Sequence, residues 1–203
     1  QTNAPVRRVG CNHVGLASGE TRSARAVVVA VEQSAASEIL GESANEGSWN
    51  EVMCLYFAAE KSPVKEPILV LNGEGRGPIN NLCVQSQVAA SYAPPGRALV
   101  SVSVVNGLGD DEDQIVTSVR RQLGEWFGPE AQQWRHLRNY HVRHALPKQS
   151  SLEPVEKPSL REDGVFLCGD YLDAASIQGA MASGRRAAEG VLEASQKWNV
   201  IAS

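Results

Sequence analysis

Two periodicities alternate along the chain. Val52–Ala59, Pro67–Leu71, Asn81–Val88 and Ala98–Val105 are short runs rich in β-branched and apolar residues, with Asn72-Gly73 and Pro94-Pro95-Gly96 as turn signals between them. Strands joined by such short connections predict an antiparallel sheet. The period then lengthens: Ile115, Val116, Val119, Leu123, Trp126 and Phe127 make one helical stripe, opened by the acids of 110–113 and closed by Gly128-Pro129. That helix is expected to cover the sheet. In Trp134–Pro147 a period of two puts Trp134, His136, Arg138, Tyr140, Val142 and His144 on one face of a strand. Upstream, the pattern predicts two or three strands between Ala4 and Ala30, ending in a buried run Ala26–Val31. A short helix follows, capped by Ser34 and stopped after Leu40 by Gly41. Downstream, the apolar run Val165–Leu167 predicts a buried strand ending in Cys168-Gly169-Asp170. In the helix that follows, Ile177, Ala180, Met181, Gly184, Ala188, Val191 and Leu192 form the apolar side, with Arg185, Arg186, Glu189 and Glu193 opposite.

Composition narrows the classes of function. The 203 residues suit one or two domains, and 42% hydrophobic residues supply an ordinary core. A net charge of −4 argues against an electrostatic nucleic-acid partner. No apolar run approaches the roughly 20 residues that span a bilayer. The four cysteines lack CxxC spacing, so free thiols in a reducing compartment, cytoplasmic or organellar, are expected rather than a disulfide framework or zinc site. His136 and His144 would stand roughly 26 Å apart on a strand, with His141 on the other side, which argues against a local metal site. The first residue is Gln1 rather than Met, as in a processed or truncated product.

The C-terminal stretch carries the chemistry. Gly169-Asp170, a loop, then Ser176-Ile177-Gln178-Gly179-Ala180, continuing to Ser183-Gly184 and Ala187-Ala188, resembles the flavin motif of the FAD-dependent amine oxidases, phytoene desaturases and protoporphyrinogen oxidases. The resemblance implies that Gly169 and Asp170 meet the ribityl–pyrophosphate part of FAD. It places Ser176, Ile177, Gln178 and Ala180 at the helix start, whose amides face the pyrimidine end of the flavin ring. Pro5-Val6 resembles the opening of the family's small β-meander, which implies a backbone contact from Val6 to the adenine. The Tyr140–Pro147 segment resembles a substrate-domain strand leading back to the flavin and makes Tyr140 and His144 candidates for the substrate cavity. Amine oxidases of the family often carry a lysine where Met53 aligns and an aromatic residue where Ser176 stands; both departures weigh against an amine substrate.

The resemblance implies an α/β (α+β) fold. A partial, Rossmann-like FAD-binding lobe comes from residues 1–49 and 148–203, and an antiparallel-sheet substrate domain covered by a helix from 50–147. The family's N-terminal GxGxxG unit is missing, since Gly73, Gly75 and Gly77 have the wrong spacing and read as a turn. The expectation is the C-terminal part of an FAD-dependent oxidoreductase, inactive alone, acting on a small apolar substrate by hydride transfer to the flavin. The alternatives are a flavin-dependent amine oxidase, a non-redox isomerase, or a non-catalytic interaction module. No acid or base is assigned a catalytic role.

Overall fold

The computed structural model describes residues 1–43, 49–105, 111–149 and 156–201. The chain forms two compact units, Gln1–Trp49 with Leu146–Ser203, and Asn50–Ala145. Helices and mainly antiparallel strands mix in the α/β class the sequence implies. The first acid of the 110–113 run lies outside the described residues.

In the first unit, β1 (Val6–Gly10), β2 (His13–Leu16) and β3 (Thr21–Ser23) make an antiparallel meander in that order. β4 is only Val28–Val29, followed by α1 (Gln33–Leu40). The expected buried run Ala26–Val31 is buried on one side alone. Val27 and Val29 are inside, whereas Val28 is 43% exposed, because an extended chain sends alternate side chains to opposite sides; Val31, 41% exposed, lies past the end of β4. Glu32 rather than Ser34 occupies the N-cap of α1, and the Ser34 hydroxyl donates to the Glu32 carboxylate. The helix ends at Gly41, in the left-handed region, where the N–H groups of Gly41 and Glu42 take up the carbonyls of Glu38 and Ser37.

The second unit is a five-stranded sheet built from β5 (Trp49–Ala59), β6 (Leu69–Leu71), β7 (Asn81–Val84), β8 (Ala98–Val104) and β9 (Arg135–Pro147), in the order β6-β7-β8-β5-β9. Met53, Leu55 and Phe57 of β5 and Val100, Val102 and Val104 of β8 are buried on one face. The residues between them, Cys54, Tyr56, Ser101 and Ser103, turn to the other. Past Val84 the expected strand becomes a helical turn, α2 (Gln85–Val88). Its polar Gln-Ser-Gln sequence offers no apolar face to a longer strand, and the Ser86 hydroxyl accepts from the Leu99 N–H at 3.2 Å.

The covering helix α3 (Glu112–Phe127) lays Ile115, Val119 and Leu123 on the buried face, and each such side chain contributes about 2 kcal/mol of burial. The Asp111 carboxylate caps it by accepting from the N–H groups of Asp113 and Gln114. A one-turn helix, α4 (Pro129–Gln132), leads into β9. Within α3, buried Gln122 accepts from the Ile79 N–H at 2.9 Å and donates to the Arg76 carbonyl at 2.7 Å. This fastens the 72–79 turn to the helix. Gly77 in that turn has φ 73°, and a Cβ there would strike the Gln122 side-chain amide.

β9 breaks its alternation once. The His136 ring lies 5.3 Å from that of core-facing Phe57, and its Nε2 is 2.7 Å from Asn139 Oδ1. Asn139 donates in turn to Glu112 at the start of α3, and His141 Nε2 pairs with Glu51 at 2.7 Å. Tyr140 instead meets Tyr56, on the opposite face, edge to face at 5.8 Å. His136 and Asn139 therefore share the α3 side although three positions apart. The alternation breaks between them, and Arg138 and Tyr140, in contact with each other, lie on the other side. The single face expected for His136, Arg138 and Tyr140 is corrected accordingly.

The chain returns to the first unit with β10 (Phe166–Leu167), which pairs in parallel with β4, Phe166 beside Val28 and Leu167 beside Val29. The last helix, α5, runs Ile177–Ile201. Val29, Ala36, Val165, Leu167, Tyr171 and Leu172 form this unit's core.

Candidate functional site

β10 runs straight into Gly169, and a 3-10 turn, Asp170–Leu172, places Asp170 at the carboxyl end of the parallel pair. That end is where open parallel sheets characteristically present ligands. Burial pushes the Asp170 carboxyl pKa upward, and the neighbouring charge of Glu32, just beyond β4, adds to the shift. Beside it, Tyr171 is held in the core with its hydroxyl unpartnered, and burial pushes that phenol up to about 12.

The start of α5 is fixed to this strand end by polar anchors. Ser183 is fully buried. Its Oγ accepts from the Gly169 N–H at 3.0 Å, and its single O–H is the donor to two carbonyls within reach, Gly169 at 2.8 Å and Ala180 at 3.0 Å. Arg186 donates to Asp173 at 2.6 Å and to the Leu172 carbonyl at 3.1 Å, clamping the 170–175 turn against the helix. This hydrogen bond holds the Asp173 carboxyl below its usual range. Ser176 is the N-terminal cap: its Oγ accepts from the Gly179 N–H at 3.0 Å. A Cβ at Gly179 would run into the Ala174 carbonyl oxygen, so only glycine lets the turn lie this close. With Gly179 capped and the Ala180 N–H bonded to the Ser176 carbonyl, the N–H groups of Ile177 and Gln178 find no acceptor among the described residues.

These anchors decide which side of α5 is inside. Gly179, Ser183 and Ala187 are buried, whereas Ile177, Met181 and Leu192 are 78%, 71% and 64% exposed. Of the apolar side read from the sequence, Ile177, Met181, Ala188 and Leu192 are exposed, while Ala180, Gly184 and Val191 are half-buried. Satisfying the buried Gly169 backbone through Ser183 and the close Gly179 contact outweighs the packing the larger side chains would offer.

The sequence candidates divide between the units. Gly169, Asp170, Ser176, Ile177, Gln178 and Ala180 gather at the junction of β10 and α5. Val6 stands at the start of β1 in the same unit, 37% exposed. Tyr140 and His144 belong to β9 of the other unit. Met53 is buried beneath α3, 1% exposed, so its side chain points away from the face that carries Cys54 and Tyr56. Ser183 and Arg186 carry the local geometry without having been singled out for it. Ser183's signal was a hydroxyl inside a stripe of otherwise inert small residues. Among the described residues no three of His, Cys, Asp and Glu gather as metal ligands would, no helix is long and apolar enough to cross a membrane, and all four cysteines are free thiols.

The model of the family described as flavin containing amine oxidoreductase matches residues 1–192. The chain belongs to that family. No curated protein matches it significantly. Among solved structures, an oxidoreductase from Methanosarcina mazei superposes with a TM-score of 0.68 at 14% identity, over 86% of this chain and 46% of the other. A putrescine oxidase redesigned in its cofactor binding gives 0.62 at 14% identity, over 94% and 49%. Reduced UDP-galactopyranose mutase gives 0.58 at 10% identity, over 73% and 35%. Likeness at these identities establishes the fold that the chain shares with them. The chain spans less than half the length of each of these structures.

Proposed function

We propose that this chain supplies the C-terminal half of the flavin site of an FAD-dependent oxidoreductase that oxidises a small apolar substrate by hydride transfer to the flavin. One observation carries the reading within the matched family. A carboxyl at the end of β10 and two open amide N–H groups, those of Ile177 and Gln178, meet at one helix start. They fit FAD: a carboxyl accepts from sugar-alcohol hydroxyls, and free amides at a positive helix end donate to an electron-rich ring edge. Bound FAD would supply the hydride acceptor. The chain's own residues bind and orient it. Asp170 holds the ribityl–pyrophosphate part, Ile177 and Gln178 the ring, and Val6 the adenine side.

In this reading residues 1–49 and 148–203 form the flavin lobe, and 50–147, with Tyr140 and His144, the substrate lobe. A preceding strand, GxGxxG turn and helix is the partner we propose for the flavin lobe. Two features support it: among the described residues the β4–β10 pair has only two strands, fewer than a parallel sheet needs to be stable, and Ile177, Met181 and Leu192 are exposed. This chain alone then binds FAD weakly and is inactive. Its free thiols suit a reducing compartment, cytoplasmic or organellar.

The test is the absorbance, between about 350 and 500 nm, of the protein purified at its natural length without added cofactor, beside the same spectrum of these 203 residues. Flavin bands in the first and their absence in the second are expected. A natural-length protein that is colourless and takes up no added FAD overturns the reading and leaves an interaction module.

A further inference from the structure

The Asn72-Gly73 pair that marks the turn after β6 has chemistry of its own. Asparagine followed by glycine is the pairing at which a chain most readily attacks itself, because glycine has no side chain to shield its amide nitrogen. The Gly73 nitrogen adds to Asn72 Cγ, and the bond from Cγ to Nδ2 breaks. The proton lost by the Gly73 nitrogen, carried by solvent, ends on the departing ammonia, and a cyclic imide remains. Water then opens the ring at either carbonyl, to aspartate or to isoaspartate. Water is the only co-reactant. The pair is within its reach, since residues 73–77 are exposed and Asn72 is half-buried.

The folded turn grips every atom that this reaction must move. Asn72 Oδ1 accepts from the N–H groups of Glu74 at 3.2 Å and Gly75 at 3.1 Å. Asn72 Nδ2 donates to the carbonyls of Arg76 at 2.8 Å and Ile79 at 2.7 Å. Attack makes Cγ tetrahedral and pulls both atoms out of the plane that suits these partners. The nucleophile is held as well, its N–H donating to the Leu71 carbonyl at 3.1 Å. Two N–H groups on Oδ1 would by themselves favour an oxyanion. Against them stand two carbonyls holding the leaving group and a third holding the attacking amide. From behind, buried Gln122 of α3 donates to the same Arg76 carbonyl and accepts from the Ile79 N–H, which ties the seat to the core.

The product does not fit that seat. A carboxylate has no hydrogen to give, so the Arg76 and Ile79 carbonyls would face an anionic oxygen in place of a donor. Isoaspartate also adds a side-chain carbon to the main chain and lengthens the turn that joins β6 to β7. We infer that Asn72-Gly73 is a self-modification site locked by its own turn: opening the turn lets the amide be lost, and the loss keeps the turn from closing again. The site belongs to the second unit and is independent of the flavin reading.

The 203-residue chain is incubated at neutral pH, folded and in guanidinium chloride, then digested with trypsin at mildly acidic pH, where imide formation is slow. Trypsin releases Asn72 in Glu66–Arg76, apart from Ala98–Arg120, which carries the other Asn-Gly pair of the sequence, Asn106-Gly107. Mass spectrometry reads the replacement of amide by acid in Glu66–Arg76. The replacement is expected to proceed in guanidinium and to be roughly tenfold slower or more in the folded chain, where it waits on opening of the turn. At Gly73 an added Cβ meets nothing within 4 Å, so Gly73→Ala should keep the fold and slow the reaction in guanidinium. Asn72→Asp, the product's own side chain, should unfold at a lower guanidinium concentration than the parent. A folded chain that reacts as fast as the unfolded one overturns the lock. Gly73→Ala reacting like the parent in guanidinium overturns the route, and an unchanged midpoint in Asn72→Asp overturns the claim that the turn cannot close again.

Discussion

The Ser183 hydroxyl serves both backbone polar groups of Gly169, accepting from its N–H at 3.0 Å and lying 2.8 Å from its carbonyl. One buried side chain thereby fixes the angle at which α5 leaves the end of β10. Ser183→Ala leaves a buried N–H and a carbonyl without that partner and is expected to destabilise the first unit by about 1–3 kcal/mol. Urea unfolding followed by tryptophan fluorescence and circular dichroism reads the loss; an unchanged midpoint would show that the contact is dispensable.

Gly179→Ala reverses the usual rule for helices. Alanine in a helix interior is ordinarily favoured over glycine by about 1 kcal/mol. Here the added methyl meets the Ala174 carbonyl, so a destabilisation of about 1–3 kcal/mol is expected from overpacking. A variant more stable than the parent would contradict the closeness of the 174–179 turn.

Tyr171 makes stability depend on pH at the alkaline end. Its folded pKa of about 12 lies above the ordinary 10.0, so between those values the unfolded chain has lost a proton that the folded chain retains. Stability from this group is full below about pH 10 and falls as pH rises towards 12. Tyr171→Phe removes an unpartnered buried hydroxyl and should be neutral or stabilising at pH 7 and lessen the alkaline loss. Unfolding midpoints at about pH 7 and pH 11, compared between parent and variant, decide it.

Asp170→Asn separates stability from cofactor binding. The carboxyl is disfavoured in its charged form first by burial and then by Glu32, so the neutral amide should fold at least as well. In the natural-length protein the same change removes an acceptor for the cofactor's hydroxyls. Flavin retention through gel filtration is expected to fall by roughly tenfold or more in affinity.

In the second unit, Gln122→Leu keeps the volume but leaves the Ile79 N–H without its partner and the Arg76 carbonyl with Asn72 alone, at a cost of about 1–3 kcal/mol. Hydrogen exchange at Ile79 is expected to accelerate ahead of exchange in β8. Equal protection in parent and variant would show that the turn is held by Asn72 alone, which also bonds Arg76 and Ile79.

The sequence made the helices legible wherever a chemical cap marks an end: Asp111 opens α3, Gly128 closes it, and Gly41 closes α1. Strand membership was equally plain in β5 and β8, where alternation and burial agree. What stayed hidden depends on single-residue events. The break in alternation between His136 and Asn139 decides which side Arg138 and Tyr140 take, and nothing in that stretch's composition marks it. The orientation of α5 was hidden for another reason: a hydropathy pattern weighs Ile177 and Met181 heavily and Ser183 hardly at all. The buried backbone of Gly169 reverses that weighting. The residues of the flavin motif were therefore readable, while the side of the helix that holds them in place was not.

The parallel pairing of Phe166 with Val28 joins strands that have the whole of the second unit between them in sequence. Such a pairing forms only after a very long loop closes, and the entropy of closure delays it. If Asn50–Ala145 folds first, from the sequential strands β6-β7-β8 and then the longer-range pairings of β5, the loop collapses to a short tether. The β4–β10 junction then assembles as the late step. A kinetic hierarchy follows: damage to the core around Phe57 slows formation of a site to which it contributes no atom, and a nascent chain holds no flavin half-site until its final helix has been synthesised.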